Sequence, residues 1–341
     1  MSRFFFVEMG TPNSIIEGFH ELKVGEIPNA SLVQPFYFPN RFVALLNRIR
    51  YSRRFRRSLR FVPHDWWARW HALRTLPFSL DECNYVVLIP GTDVDRLLLP
   101  RLLRWVRTRH ELEIKLVLLL FDPIDSPIDG NGWNRVQQLF PLFDVVASFD
   151  KRDAESLNIP HFTDPYARRD VEYKRELETD VFFVGHEKGR LDRLCEIANH
   201  LRGAGVTYRF LVAGVSNTRK ALAHGLTPIA ERLSYSEVLK HVVSSRCLLE
   251  VLCDGQASSS LRYYEAVVYN KKLLTDNQSV SELPCFNADY IRCFADITDI
   301  DTGWIKAPTA VDYRYDGEFS VRRLMDFLER NSTPATEQTT P

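Results

Sequence analysis

LLEVLCDGQASSSLRYYEAVVYNKKLLTDN, from Leu248 to Asn277, is the segment from which we predict the fold of this chain. An apolar run from Cys247 to Leu252 favours a strand, and a polar loop rich in serine follows it. A helical pattern resumes from Leu261 to Val268, and a second apolar run at Lys272–Thr275 favours another strand. Strand, loop, helix and strand in this order form one unit of a parallel α/β sheet. Such sheets bind ligands at the carboxyl ends of their strands, where loops lead into helices.

The same alternation runs through the rest of the chain. Continuous apolar runs predict strands that are buried on both faces, as in a parallel sheet covered by helices. These runs are Arg3–Glu8, Tyr85–Pro90, Lys115–Phe121, Asp144–Ser148, Thr179–Gly185 and Tyr208–Ala213. A chain of 341 residues is longer than one core normally grows, so two α/β domains are expected. The predicted boundaries are 1–170 for the first domain, 171–317 for the second, 318–330 for a terminal helix that packs back on the first domain, and 331–341 for a disordered tail.

Composition narrows the classes of function. The 44 basic and 44 acidic residues balance, so the molecule as a whole is not a polyanion binder. Its six scattered cysteines include no CxxC pair, which favours reduced thiols in a cytosolic protein over disulfides or a zinc site. The N-terminal apolar run is too short for a signal peptide, and the run from Ile114 to Phe121 is too short to span a bilayer. We therefore expect a cytoplasmic protein, either free or bound peripherally at the inner face of the membrane.

One segment, from Arg41 to Arg74, departs from the balance of charge. It contains ten arginines, no lysine and one acid, Asp65, with Phe, Tyr and Trp interleaved. Three interpretations stay open: a solvated helix pair whose aromatic rings face the core, a surface for an anionic membrane or a phosphorylated glycolipid, and a nucleic-acid site. We place nucleic acid last and expect no such partner. The arginines assigned to an acceptor or a membrane are Arg53, Arg54, Arg56 and Arg57.

Two acidic residues follow predicted strands of the first half. Asp93 belongs to a DVD triplet after Pro90, and Asp122 comes directly after the run that ends at Phe121. A DxD triplet can hold a metal ion, but it is common by chance, and Asp95 can instead cap the helix that follows. We expect no metal here.

Two loops of the second half have the composition of an anion site. The first, Gly185 to Arg190, lies between a strand and a helix, where glycines allow close approach and the helix offers free N–H groups. Lys188 and Arg190 add positive charge to it. The second loop leads through Gln256 and Ser260 to Arg262, with Glu265 on the same helical face. A carboxylate there can accept hydrogen bonds from ribose hydroxyls, although Arg262 and Glu265 can also simply pair on a helix surface.

The second half resembles the donor domain of bacterial GT-B glycosyltransferases, most closely those of lipopolysaccharide or capsule assembly. The segments that carry the resemblance are FVGHEKGRLDRL, RLSYSEVLKHVVSSRCLLEV and GQASSSLRYYEAVVYNKKLLTDN. In that family a strand ending in FVG opens the donor domain, and a later segment carries a Glu that holds the donor ribose. The residues that match the later segment are Arg262, Glu265, Lys271, Lys272, Thr275 and Asn277.

The resemblance implies a GT-B fold, with two Rossmann-like domains facing each other across a cleft. It also implies transfer of a sugar from a nucleotide-sugar donor to a hydroxyl of a glycan or lipid-linked acceptor, in bacterial surface polysaccharide assembly. The sugar nucleotide is a substrate, and no cofactor is expected. The residues assigned to the donor are Gly185, Lys188, Arg190, Gln256, Ser260, Arg262 and Glu265, with Lys188, Arg190 and Arg262 on the diphosphate. Asp122 is the first candidate for a catalytic base, and Asp93 the second.

Other functions are compatible with the same double fold. One is a different nucleotide-using enzyme, such as a sugar-nucleotide epimerase or a polyol-phosphate transferase. Another is a binding module that keeps the fold without the activity.

Overall fold

The chain forms two compact units, each built on its own parallel sheet. The computed structural model describes residues 2–9, 18–51, 68–90, 100–121, 137–230, 233–253 and 259–332. Unit 1 comprises Met1–Ala167 and Ser320–Pro341, and unit 2 comprises Arg168–Phe319.

Helices and strands alternate along the described chain. The strands are β1 (Arg3–Met9), β2 (Ala30–Val33), β3 (Asn84–Pro90), β4 (Ile114–Leu120), β5 (Val145–Ser148), β6 (Thr179–His186), β7 (Tyr208–Ala213), β8 (Thr227–Ile229), β9 (Ser245–Glu250), β10 (Lys272–Thr275) and β11 (Ile291–Cys293). The α-helices are α1 (His20–Lys23), α2 (Arg41–Tyr51), α3 (Pro100–Arg107), α4 (Lys151–Leu157), α5 (Leu191–Gly203), α6 (Thr218–Ala223), α7 (Tyr235–Ser244), α8 (Leu261–Val268), α9 (Thr302–Lys306) and α10 (Val321–Ser332). Short 3-10 turns occupy Ala68–Trp70, Ala72–Arg74, Phe140–Leu142, Arg175–Leu177, Val280–Glu282 and Ile297–Asp299.

The sheet of unit 1 has the order β2-β1-β3-β4-β5 and is parallel throughout. Alternate residues of each strand enter different cores, so Phe5 and Val7 pack on the face covered by α3, and Phe4 and Phe6 pack on the opposite face. Because both faces are covered, each strand needs apolar residues at every position, which explains the continuous apolar runs in the sequence.

The last helix, α10, completes the core of unit 1 although the chain reaches it only after unit 2. Val321 and Leu328 are fully buried in the same cluster as Phe4 and Phe6. The hydroxyl groups of Tyr85 and Ser332 lie 2.6 Å apart at the far end of the helix. Apolar burial therefore holds the C-terminal helix on this sheet.

The sheet of unit 2 has the order β11-β10-β9-β6-β7-β8 and is also parallel. Val181 and Phe183 of β6 enter a core with α5, whereas the ring of Phe182 stacks on His241 of α7 at 5.0 Å on the other face. Sequence signals set the start of α7, where Ser234 and Glu237 form a reciprocal capping box.

The structure confirms the predicted strands to within about two residues, and it confirms the predicted helix Leu261–Val268. It adds β2, β8 and β11, which the sequence pattern missed. All three are edge strands of three or four residues. An edge strand pairs on one side only and is partly exposed, so it lacks the continuous apolar run of a central strand.

Candidate functional site

Strand order brings the two predicted loops of unit 2 together. From β6 the chain runs outward through β7 to β8, and β9 then pairs with the other side of β6. The carboxyl ends of β6 and β9 are therefore neighbours at the point where the strand order reverses. The turn 187–190 leaves β6 there, and residues 251–253 leave β9. Parallel sheets of this type bind ligands at that point, so this edge of unit 2 is the candidate site.

The loop after β6 is a tight turn that leaves Lys188 exposed. The N–H of Arg190 donates to the carbonyl of Glu187 at 2.8 Å. The two residues between them have left-handed backbones, with φ of 41° at Lys188 and 83° at Gly189. Glycine adopts this conformation freely, whereas a lysine in it costs about 1 kcal/mol. Since α5 begins directly after the turn, the exposed ammonium group and the first N–H groups of α5 lie at the same edge of the sheet.

Arg190 joins the ends of the two neighbouring strands. Its guanidinium donates to the carbonyl of His186 at the end of β6 and to the carbonyl of Val251 just after β9. Gly185 makes room for this side chain, because a Cβ atom at position 185 would lie 3.2 Å from Nη2 of Arg190 and 3.2 Å from Cζ of Phe183. A side chain at position 185 would therefore crowd both Arg190 and Phe183. Arg190 acts first as a brace between two loops.

Glu187, which the sequence analysis did not select, ties the same turn to the loop after β7. It is buried, and its carboxylate accepts hydrogen bonds from the hydroxyl of Ser216 at 2.7 Å and from the N–H of Ser216. Its own N–H donates to the carbonyl of Ala213 at 2.9 Å. The sequence did contain a signal for Glu187, because it is an acidic residue between the two glycines Gly185 and Gly189 of a predicted turn. Apolar packing does not explain an acidic side chain at such a position.

Glu250, at the end of β9, was also missed, and it organises the start of α8. It is buried, and its oxygens accept hydrogen bonds from the N–H of Ser260 and the hydroxyl of Thr275, both at 2.6 Å. Asn277 extends this network by donating to the hydroxyl of Ser259 at 2.8 Å. Burial raises the pKa of Glu250. The sequence did contain a signal for Glu250, because it is the single acid inside the apolar run CLLEVL. A carboxylate buried in such a strand needs hydrogen-bond donors around it.

Arg262 and Glu265 form an ion pair inside unit 2, not on its surface. Nη2 of Arg262 donates to Oε1 of Glu265 at 2.6 Å, and Nη1 lies 2.6 Å from Oε2 without hydrogen-bond geometry. The hydroxyl of Tyr235 also donates to Oε1, at 2.9 Å. Glu265 is 0% exposed. The sequence left two roles open for Glu265, pairing with Arg262 and binding of a ribose. The structure contains the pair with Arg262, so ribose can reach the carboxylate only if this pair opens.

The stability of the protein should depend on the proton held by Glu265. Burial raises its pKa from 4.5 to about 7, against the opposing effects of Arg262 and Tyr235. A group with a raised folded-state pKa stabilises the fold fully below its unfolded value, and this contribution is lost as pH rises through the folded value. We therefore expect the free energy of unfolding, relative to the non-titrating variant Glu265→Gln, to fall by about 1 kcal/mol per pH unit between about pH 5 and pH 7. Urea denaturation of both proteins across this range measures the difference, and a difference that rises with pH would contradict the expectation.

Several predicted residues lie outside the described residues. They are Asp93, Asp122 and Gln256, and the arginines Arg53, Arg54, Arg56 and Arg57. Within the described ranges, no group of three or more His, Cys, Asp or Glu side chains is arranged to hold a metal ion. None of the helices described is both long and apolar enough to cross a membrane.

A cavity of about 940 Å³ lies at the opposite, amino edge of the same sheet, beside Thr179 and Ser245. Its two lysines already have partners, since Lys271 donates to the carbonyl of Val243 and Lys272 donates to the carbonyls of Trp304 and Ala307. Size alone does not make it the site, because both of its lysines already have partners. The chemistry favours the carboxyl edge.

No protein-family model and no curated protein sequence matches the chain. Solved structures do match it along nearly its whole length. A UDP-forming α,α-trehalose-phosphate synthase from Burkholderia xenovorans is 11% identical, with 98% of this chain and 100% of that chain covered and a TM-score of 0.54. AviGT4, a glycosyltransferase involved in avilamycin A biosynthesis, is 12% identical, with coverages of 97% and 98% and a TM-score of 0.55. UDP-N-acetylglucosamine 2-epimerase from Rickettsia bellii is 11% identical, with coverages of 97% and 96% and a TM-score of 0.51.

At such low sequence identity these matches show similarity of fold alone. Two parallel sheets covered by helices, in a chain aligned from end to end with these structures, show the GT-B fold with two Rossmann-like domains.

Proposed function

We propose that this protein is a glycosyltransferase that moves a sugar from a nucleotide-sugar donor to a hydroxyl group of an acceptor. The observation that carries the proposal is the meeting of two strand–loop–helix units at the reversal of strand order in unit 2. Each loop leads into the N-terminus of a helix, α5 or α8, which suits an anionic group such as a diphosphate. The GT-B fold, shared with a UDP-forming synthase and a glycosyltransferase, supports the same proposal.

In this proposal the donor diphosphate lies at the starts of α5 and α8, with the Lys188 ammonium beside it. Oriented N–H groups and a cation stabilise the charge that develops on the leaving diphosphate. Arg190 and Gly185 hold the two loops at the correct spacing, and Ser260 caps α8 through a 3.3 Å hydrogen bond from the N–H of Arg262. Glu265 and Arg262 serve the ribose after their pair opens.

We further propose that the acceptor is a glycan or a lipid-linked glycan of bacterial surface polysaccharide assembly, on the strength of the sequence segments that resemble that family. Asp122, then Asp93, remains the proposed base that deprotonates the acceptor hydroxyl. No metal or cofactor enters the proposed reaction.

A nucleotide-sugar epimerase is the second candidate, because one structure with the same fold is a UDP-N-acetylglucosamine 2-epimerase. The two are distinguished by their products. Incubation with UDP-, GDP- and CMP-sugars, first ranked by thermal shift, releases free nucleotide and a glycosylated acceptor if the protein is a transferase. Formation of an epimeric sugar nucleotide without an acceptor would favour the epimerase. If a donor binds but neither product forms, the protein would be a binding module.

Lys188→Gly is expected to weaken donor binding by about 10- to 100-fold, because it removes a charged partner of the diphosphate. The same change relieves the left-handed backbone of Lys188, so the melting temperature should stay level or rise. Titration calorimetry and a thermal melt measure the two effects. Lys174→Ala is the control, since it removes a partly exposed lysine of unit 2 whose ammonium pairs with Glu172. Equal affinities for the wild type and Lys188→Gly would contradict the diphosphate role.

A further inference from the structure

Tyr235, to which the sequence analysis gave no role, is the first residue of α7. Helix α7 leads from β8 back to β9, so in this parallel sheet it begins at the carboxyl edge, where α5 and α8 also begin. The reciprocal capping box of Ser234 and Glu237 fixes the first turn of α7, and with it the backbone of Tyr235. Tyr235 therefore belongs to the candidate site.

The hydroxyl group of Tyr235 occupies one oxygen of the buried Glu265. Oε1 of Glu265 accepts hydrogen bonds from the hydroxyl of Tyr235 at 2.9 Å and from Nη2 of Arg262 at 2.6 Å. Oε2 lies 2.6 Å from Nη1 of Arg262, and none of the described donors makes a hydrogen bond to it. The two oxygens are thus held unequally, Oε1 by two donors and Oε2 by the ion pair alone.

A ribose differs from these partners because it offers two neighbouring hydroxyl groups. A carboxylate can accept one of them on each of its oxygens. When the contact between Nη1 of Arg262 and Oε2 opens, Oε2 becomes available, but Oε1 keeps both of its donors. Complete loss of Arg262 would leave Glu265 as an unpaired buried charge, whereas a ribose hydroxyl in place of the Tyr235 hydroxyl exchanges one neutral donor for another. The group that gives way at Oε1 is therefore the phenol of Tyr235.

Packing favours the closed position of Tyr235 without locking it. The guanidinium of Arg169 lies 4.9 Å from the centre of the Tyr235 ring, a distance at which a cation attracts the face of an aromatic ring. Arg169 is itself anchored, because its N–H donates to the hydroxyl of Tyr269 at 3.0 Å. Tyr235 is only half-buried, so part of its ring faces water and a change of rotamer can carry it outward.

We propose that Tyr235 is a gate on the ribose site of unit 2 and sets the affinity of that site for nucleotides. In the empty protein its hydroxyl satisfies Glu265, and a nucleotide reaches both oxygens of Glu265 only by displacing that hydroxyl. The displacement lowers the affinity for any nucleotide that binds through its ribose. The inference rests on the proposed binding of a nucleotide-sugar donor and identifies the residue that opposes it.

Tyr235→Phe tests the gate, because it removes the hydroxyl and keeps the ring. Whichever of UDP and GDP the wild type binds, we expect the full-length variant to bind it about tenfold more tightly, since no hydrogen bond to Glu265 has to be displaced. The melting temperature without nucleotide should fall, because Oε1 has lost a donor. Titration calorimetry and thermal melts measure the two effects. A purely structural defect would lower both affinity and stability, whereas a gate moves them in opposite directions.

The dideoxyribose form of the same nucleotide shows whether the ribose is what opens the gate. It has no hydroxyl to displace the phenol, so it should bind the wild type and Tyr235→Phe equally. Tyr313→Phe is the matched control. It removes a tyrosine hydroxyl that donates to the carbonyl of Lys271 at 3.0 Å, just before β10 begins at the opposite edge of the sheet. Its melting temperature should also fall, but its affinity for UDP or GDP should equal that of the wild type.

The outcomes separate the gate from the proposed function. If the wild type binds UDP or GDP and Tyr235→Phe binds it equally or more weakly, the gate is wrong and the proposed donor site stands. Equal tightening in Tyr313→Phe, or equal tightening for the dideoxyribose form, would also overturn the gate. A wild type that binds neither UDP nor GDP would overturn the gate together with the proposed diphosphate site.

Discussion

At about pH 8.5, above the raised pKa of Glu265, Glu265→Ala is expected to lower the free energy of unfolding by about 3–5 kcal/mol. The substitution removes the partner of Arg262, whose side chain is 8% exposed and cannot lose its proton. A buried guanidinium without its carboxylate keeps the cost of desolvation and loses the attraction that offset it. Urea denaturation monitored by circular dichroism measures the change.

The double variant Arg262→Met/Glu265→Leu separates this structural effect from donor binding. Replacing a buried ion pair by apolar residues of similar size is often neutral, so its stability should lie within about 1–2 kcal/mol of the wild type. If Glu265 also holds the ribose, this stable variant should still bind the nucleotide-sugar donor at least about tenfold more weakly. A double variant as unstable as Glu265→Ala would contradict the explanation by an uncompensated charge. Unchanged affinity for every nucleotide tested would remove the ribose role of Glu265.

Arg190→Ala is expected to lower kcat/KM for the nucleotide-sugar donor by about 100-fold, a size typical of a misplacement of about 1 Å at a reacting group. The side chain links the carbonyls of His186 and Val251, so its loss frees the ends of β6 and β9 from each other. A steady-state assay at varied donor concentration measures the effect. We expect it in both kcat and KM, because spacing affects the bound donor and the reaction alike.

Arg190→Lys tests whether Arg190 supports activity by linking the carbonyl groups of His186 and Val251 or by its positive charge. Lysine keeps the positive charge but lacks the planar fork that spans two carbonyl groups. A positioning role predicts that Arg190→Lys is nearly as impaired as Arg190→Ala. Recovery of most of the activity by lysine would contradict that role and would assign Arg190 to the diphosphate as a simple cation.

Local patterns predicted the elements of the candidate site well. Helix α8 runs from Leu261 to Val268 as expected, because its apolar periodicity and its serine cap are both local signals. Strands β6, β7 and β10 follow from short apolar runs for the same reason. The sequence predicted the surroundings of individual site residues less well. Gly185 is predicted to lie against the donor, and the structure adds that a Cβ atom there would crowd Arg190. The Arg262–Glu265 pair is buried, whereas the sequence analysis considered a pair on a helix surface.

Local sequence patterns were enough to predict the α/β class, the central strands and the two strand–loop–helix units, since each depends on residues only a few positions apart. The tertiary structure alone decided that β9 lies beside β6, which brings Gly185–Arg190 and the start of α8 to one edge of the sheet. It also decided that the buried Glu187 and Glu250 hold those loops, through partners 29 and 25 residues away. The stretch from Leu248 to Asn277 thus forms its strand and helix by its own pattern. Its chemistry depends on Arg190, which reaches Val251 across 61 residues of chain, and hydrogen bonds between such distant residues leave no periodic trace in a sequence.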